Sequence, residues 1–238
     1  MKIIVISLAR ATERRASITQ QLDALGLEYE LFDAIDAANP NFKHCDMRRD
    51  AITKRRLGYT LLDAEIACYA SHYEVWQRCY NDNQPYLVIE DNALINTELV
   101  DMLTILHDLT KRYHYLKLFA YFPRKGKVIE RLSEKYTLQQ SSKRYSGAQG
   151  YALSPYAAKQ LVSASRQGFL EAVDDYMEKR YRHGIACTVV QPNLIVRAPI
   201  KSTISNASSI RKNKAHLTFL NKIQIELFRL YERIRNRL

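Results

Sequence analysis

Apolar and polar positions along the chain follow two rhythms. The opening "KIIVISLA" is an unbroken apolar run rich in β-branched residues, and it predicts a strand buried on both faces. Ile18, Leu22 and Leu25 then recur at helical spacing, predicting a helix from Thr12 to Leu25 that Gly26 stops. "EYELFDAID" supplies a second strand, so the opening segment predicts a parallel βαβ unit. Residues 39–59 are polar, basic and irregular and predict a surface excursion. From Leu62 to Tyr80 the apolar positions Leu62, Ile66, Tyr69, Tyr73, Trp76 and Tyr80 form one stripe of a strong helix. Glu65, Cys68 and His72 share a face that borders it.

The same alternation continues to the end of the chain. "PYLVIED" predicts another buried strand, and a helix follows over residues 97–109. "YLKLFAY", "KVIERL" and "KYTLQQ" predict further strands. "SGAQGYALSPYAAKQLV" predicts a loop, a short strand and a helix with Ser154 at N-cap and Pro155 at N1. "VDDYMEKRY" starts a helix with two acids in its first turn, and "IACTVV" and "NLIV" close the set. Strands alternating with helices predict an α/β sandwich around a mainly parallel sheet. Ligands of such sheets bind beyond the carboxyl ends of the strands, which puts the first loop and the Glu90-Asp91-Asn92 run on one rim.

Composition narrows this picture. A chain of 238 residues, 47% hydrophobic and 26% charged, suits one large α/β domain or two small ones. Its four cysteines are scattered without a C-x-x-C pair, which argues against a disulfide framework or structural zinc and fits a reducing compartment. "MKIIVISLAR" lacks a small-residue cleavage pattern, and no run approaches a membrane span, so neither export nor integral membrane insertion is expected. Net charge is +11, of which residues 201–238 carry nine Lys/Arg against two acids, or +7. There Leu220, Ile223, Leu227, Leu230, Ile234 and Leu238 fall on one helical face with Lys222, Arg229 and Arg233 off its centre. A basic amphipathic helix of this kind suits an anionic membrane surface, here through residues 210–238, or packing on its own domain or a second subunit. Aromatic residues do not interleave with the basic ones, so nucleic acid is not expected as a partner.

Carboxylates just after a buried strand are well placed to hold a hard divalent cation, and the loop arginines Arg10, Arg14 and Arg15 to bind phosphates. The plainer alternative is that Asp91 and Asn92 cap the turn. No G-x-G-x-x-G opens the first helix, so a dinucleotide fingerprint is absent.

Six stretches in order resemble glycosyltransferase family 25, the bacterial lipooligosaccharide galactosyltransferases. "VISLARATERR" is similar to the family's I-N-L-x-R-x-x-x-R start, and "AEIACYASHYEVWQ" to G-E-I-G-C-x-x-S-H-x-x-x-W. "VIEDNAL" resembles a strand ending in E-D-D, and "SGAQGYALSPYAAKQL" resembles G-x-x-G/A-Y-x-I-S. "VDDYM" is similar to V-D-x-x-M/L and "PNLIV…KSTIS" to P-x-L-V…S-T-I.

The resemblance implies a GT-A-like domain over residues 1–205, a basic helical tail over 206–238, and inverting transfer of a hexose, most often galactose, from a UDP-sugar. It implies as acceptor the lipid-linked oligosaccharide of lipooligosaccharide or lipopolysaccharide, reached from the cytoplasmic face of the inner membrane. It places Mn²⁺ or Mg²⁺ on Glu90, Asp91 and Asn92, and donor or nucleotide contacts at Leu8, Arg10, Arg15, Glu65, His72, Glu90, Gln149, Gly150 and Tyr151. Asp174 matches the family's V-D as catalytic base, with Asp175 as neighbour and Asp91 as fallback. Acids in a first helical turn also stabilise it through the macrodipole.

This chain departs from the family at Ala67 for Gly, at Leu8-Ala9 in the first loop, and at Asn92 for the second Asp. Asn offers a carbonyl oxygen but no charge. Asn92 therefore leaves open a natural site built on two acids, a metal-independent enzyme, an introduced substitution, or a non-catalytic membrane-associated module. A homo-oligomer is compatible with all of these.

Overall fold

The computed structural model of the chain describes residues 1–122, 124–141, 143–199 and 217–237. The "KSTIS" motif, residues 206–216 and Leu238 lie outside the described residues, as does the part of the tail they form. In chain order the elements are β1 (Lys2–Ser7), α1 (Thr12–Ala24), β2 (Glu30–Asp33), α2 (Asp50–Leu57), α3 (Asp63–Asn81), β3 (Tyr86–Glu90), β4 (Ala93–Ile95) and α4 (Leu99–Tyr113). They continue with β5 (Tyr115–Lys117), β6 (Lys127–Arg131), β7 (Thr137–Gln140), β8 (Gly150–Leu153), α5 (Pro155–Ser165), α6 (Val173–Met177), α7 (Arg180–His183), β9 (Thr188–Gln191) and β10 (Ile195–Arg197). A last helix, α8, spans Phe219–Arg237.

Eight strands form one sheet in the order β2-β1-β3-β8-β5-β9-β7-β6. The class is α/β as the sequence predicts, but the sheet is not mainly parallel. Three pairings (β1 with β2 and β3, β5 with β9) are parallel, whereas β8 runs against both its neighbours and β7 against β9 and β6. The apolar pattern could not reveal this, because a buried strand reads the same in either direction.

Period-two alternation along β1 and β3 divides the core into two layers. Ile4, Ile6, Tyr86 and Val88 face α3, α5 and α6, where Tyr69, Trp76, Leu161 and Tyr176 are buried. Ile3, Val5, Leu87 and Ile89 face α1 and α4, packing on Ile18, Leu22, Leu99 and Leu106. Ser154 caps α5 as expected, its hydroxyl accepting from the Ala157 N–H at 3.2 Å.

The expected surface excursion over residues 39–59 instead contains a short 3₁₀ turn at Cys45–Met47 and the helix α2. Asp50 in its first turn and Lys54, Arg55 and Arg56 in its last suit the helix dipole, and Gly58 ends it in the left-handed region at φ +84°. Tertiary contacts complete it: the Thr53 hydroxyl donates to the Leu170 carbonyl at 3.0 Å, and a Cβ on Gly58 would meet Ile225 of α8 at 2.7 Å. A helix held by such distant partners has little apolar periodicity of its own.

Candidate active site

The parallel register places Ile6 beside Glu90, so β1 and β3 end together on one rim. Alternation then fixes where the next side chains go. Glu90 continues the row of Tyr86 and Val88 toward α3, while Asp91 continues the row of Leu87 and Ile89 toward the side where Ser7 follows Val5. Accordingly the Ser7 hydroxyl donates to Asp91 Oδ2 at 2.8 Å, and Arg14 Nη1 lies 3.5 Å from Asp91 Oδ1. Burial comes first in raising the Asp91 carboxyl above the usual carboxylate range, against the pull of Ser7 and Arg14.

On the other side Glu90 meets His72, with Nε2 to Oε1 at 3.2 Å. His72 is fully buried, and its Nδ1 lies 2.8 Å from the Tyr151 hydroxyl. Trp76 Nε1, which can only donate, gives its proton to the same hydroxyl at 2.9 Å. With the Tyr151 O–H donating to Nδ1, the His72 proton sits on Nε2 and points at Glu90. The chain Trp76–Tyr151–His72–Glu90 anchors the carboxylate to the core.

A cleft of about 470 Å³ opens beyond these strand ends. Of the expected residues, Leu8, Arg10, Glu65, His72, Glu90, Asp91, Asn92, Gln149 and Asp174 line it. Arg10 pairs with Asp36 across the mouth, Nε to Oδ2 at 2.5 Å. Glu65 closes the N-terminus of α3, accepting from the Leu62 N–H at 2.9 Å. Both Asn92 Oδ1 and Gln149 Oε1 are buried without a hydrogen-bond partner among the described residues.

Asp174 accepts from the Gly147 N–H at 3.0 Å and, through its other oxygen, from the Asp175 N–H at 2.9 Å. Gly147 sits at φ +84°, and a Cβ there would strike the Phe119 ring at 2.4 Å, so glycine is required for this turn to reach Asp174.

Four expected residues stand away from the cleft wall. Arg15 turns to the Ser7 carbonyl at 3.0 Å and to Asp33 at 2.7 Å. Tyr151 lies wholly inside the core beneath His72. Gly150 packs against β10, where a Cβ would meet Ile195 at 2.3 Å. Asp175 pairs with Arg144 at 2.5 Å, and burial followed by the adjacent Asp174 charge pushes its carboxyl up to about 6.

The sequence reading missed Ser7 and Arg197 and left Cys68 without a role. Antiparallel pairing of β10 with β4 sets Arg197 opposite Ala93, next to Asn92, and it lines the cleft without an ion pair among the described residues. Only that pairing reveals it, since the two segments lie far apart in the chain. Cys68 lines the cleft between α3 and Glu90; burial first, then Glu90, Asp174, Glu65 and Asp91, pushes its thiol well up. The signal for Cys68 was present in the shared face with Glu65 and His72.

The cleft thus gathers Arg10, Arg14 and Arg197, the carboxylates of Glu90, Asp91 and Asp174, and two buried amide oxygens, groups that can bind a charged, polyhydroxylated ligand. The sequence model of glycosyltransferase family 25 (LPS biosynthesis protein) matches residues 1–177, and the chain belongs to this family. It is 28% identical to the lipooligosaccharide biosynthesis protein lic2B of Haemophilus influenzae over 165 residues, 66% of this chain and 60% of that one. With lex-1, a lipooligosaccharide biosynthesis protein of the same species (strain ATCC 51907 / DSM 11121 / KW20 / Rd), it shares 22% over 277 residues, 97% of this chain and 91% of the relative. The lacto-N-neotetraose biosynthesis glycosyltransferase LgtE of Neisseria meningitidis serogroup B (strain ATCC BAA-335 / MC58) is 32% identical over 95 residues, 40% of this chain and 33% of that one. The chain thus spans about three fifths of lic2B and a third of LgtE. The resemblance drawn from the six motifs is borne out.

Proposed function

We propose that this chain is an inverting, GT-A-like hexosyltransferase that moves galactose from UDP-galactose to a lipooligosaccharide or lipopolysaccharide oligosaccharide. The observation that carries this reading is the convergence in one cleft of Arg10, Arg14, Glu90, Asp91, Asn92 and Asp174, drawn from distant parts of the chain. Arg10, Arg14 and Arg197 bind the diphosphate. Glu65, His72 and Gln149 border the nucleotide-sugar, and Gly150 and Tyr151 shape the floor beneath it.

Inversion needs one displacement: the acceptor oxygen bonds to the anomeric carbon as the bond to the diphosphate breaks and UDP leaves. Asp174 takes the acceptor hydroxyl proton. Two backbone N–H groups fix its carboxylate at the cleft wall, and each oxygen keeps a further lone pair to accept a proton.

A hard divalent cation, Mn²⁺ or Mg²⁺, would be held by the oxygens of Glu90, Asp91 and Asn92; the buried Asn92 Oδ1 lacks another partner among the described residues, whereas Asp91 would have to release Ser7 and Arg14 to turn toward the ion. Such an ion supplies neutralisation of the charge that develops on the leaving diphosphate. The Arg14 guanidinium beside Asp91 favours a second reading, in which arginines alone neutralise that charge. Chelation separates the two: loss of UDP affinity in EDTA supports the cation, and unchanged affinity supports the arginines.

No helix among the described residues is long and apolar enough to cross a membrane. Access to a lipid-linked acceptor rests instead on α8. Ile225 docks on α2, and Glu232 holds Lys179 at 2.5 Å and the Tyr181 hydroxyl at 2.8 Å. Leu220, Leu227, Leu230 and Ile234 stay more than half exposed on the opposite side, with Arg229 and Arg233 away from the centre of that face. This face suits the anionic inner leaflet, with the enzyme peripheral on the cytoplasmic side.

A further inference from the structure

The geometry points to a binding site for a thiophilic divalent cation of the zinc class, formed by Cys68, His72 and Glu90. Single ligand atoms of the three residues all lie within 4.8 Å of one another, and among the described residues no other group of three or more His, Cys, Asp or Glu side chains converges in this way. Cys68 and His72 stand four residues apart on α3, so consecutive turns project both toward the end of β3, where alternation delivers Glu90. All three line the cleft, which leaves an open coordination position toward solvent. Three protein ligands with one open position is the arrangement of zinc sites that bind an exogenous ligand.

Ligand chemistry separates this site from the hard-ion corner proposed above. A thiolate and an imidazole select zinc-class ions, whereas Mn²⁺ and Mg²⁺ prefer oxygen. Glu90 belongs to both sets, while Asp91 turns away to Ser7 and Arg14 and belongs only to the hard-ion corner.

The support behind the ligands is also in place. With Nε2 given to a metal, the His72 proton sits on Nδ1, and Tyr151 Oη 2.8 Å away has the lone pairs to accept from both His72 and Trp76. On binding, the Cys68 thiol loses its proton to solvent and the cation exchanges waters for sulfur, nitrogen and oxygen. No electron is transferred. The cation contends with a Mn²⁺-class ion for Glu90, so its occupancy opposes the hard-ion arrangement.

Cobalt(II) titrated into the full chain in the absence of oxygen is the probe, since it reports thiolate ligation optically. One equivalent should give a thiolate-to-cobalt charge-transfer band in the near ultraviolet together with visible bands of four-coordinate cobalt. Zinc(II) should bleach both. Cys68→Ser should abolish the charge-transfer band, whereas Cys45→Ser, Cys187→Ser and Asp91→Asn should retain it. Absence of the band in the unaltered chain, or its survival in Cys68→Ser, overturns the proposal. Because the readout needs neither UDP nor turnover, failure of the glycosyltransferase reading leaves this result interpretable, and the Asp91→Asn arm tells the two sites apart.

Discussion

His72 Nε2 lies 3.2 Å from Glu90 Oε1, joining the middle of the longest inner helix to the end of a central strand. Tyr151 holds His72 from behind, through its bonds to His72 and Trp76. Replacing Tyr151 with Phe removes a hydroxyl that serves two fully buried partners. The expected cost is about 1–3 kcal/mol of stability in urea unfolding, from the unsatisfied His72 and Trp76 nitrogens. UDP binding should weaken as well, because Glu90 loses its fixed orientation. Unchanged unfolding and unchanged UDP affinity would show that the chain of hydrogen bonds is incidental.

Asp174 and Asp175 are neighbours with different tasks. Asp174→Asn should lower kcat by about 10²–10⁴-fold while UDP affinity is kept, as expected for loss of a general base. Asp175→Asn, which disturbs only the Arg144 pair, should cost much less. A comparable loss of kcat in both variants would remove Asp174 from the role of base.

The raised Asp175 carboxyl also predicts a pH dependence of stability. Its folded value, about 6, lies above the ordinary 3.8, so the folded state holds the proton more tightly than the unfolded chain. The associated stabilisation is complete below the unfolded value and is lost as pH rises from about 4 to about 6, an effect on the order of 1–2 kcal/mol after allowing for its partial exposure. Thermal melts at pH 4 and pH 7 should show this segment in the unaltered chain and its absence in Asp175→Asn. Equal pH slopes in the two proteins would contradict the assignment.

Asn92→Asp places a third carboxylate beside Glu90 and Asp91. Without a divalent ion the added repulsion should lower the melting temperature. With Mn²⁺ the variant should gain more stability than the unaltered chain, because ions that bind the folded state stabilise it in proportion to their affinity. A Mn²⁺-induced shift no larger than that of the unaltered chain would remove Asn92 from the ion's ligand set.

The outward face of α8 can be tested apart from catalysis. Leu227→Glu with Leu230→Glu changes two exposed residues that the domain does not use for packing. The pair should abolish cosedimentation with phosphatidylglycerol-containing vesicles and leave the melting temperature unchanged. Persistent cosedimentation would mean that this face is not the membrane contact.

Much of the site was legible because its residues obey short-range rules. Glu65, Cys68 and His72 fall on one helical face by spacing alone, and a buried strand must deliver Glu90 and Asp91 to its rim. What stayed hidden depends on long-range pairing. The reversed β8, the helix α2 that α8 and Leu170 complete, and Arg197 beside Asn92 leave no mark on local periodicity. Tyr151 was placed at the donor by its motif, yet the structure puts its ring in the core and its hydroxyl on His72. A motif names a residue without saying whether it touches the ligand or holds the one that does.

Sugar transfer from a UDP-linked donor is proposed for the cleft between Arg10 and Asp174. Release of UDP from UDP-galactose, followed with and without lipooligosaccharide acceptor and Mn²⁺, tests it most directly. Acceptor-dependent UDP release that Asp174→Asn suppresses is the expected result. No UDP release from any UDP-sugar with any acceptor, together with no binding of UDP, would contradict it.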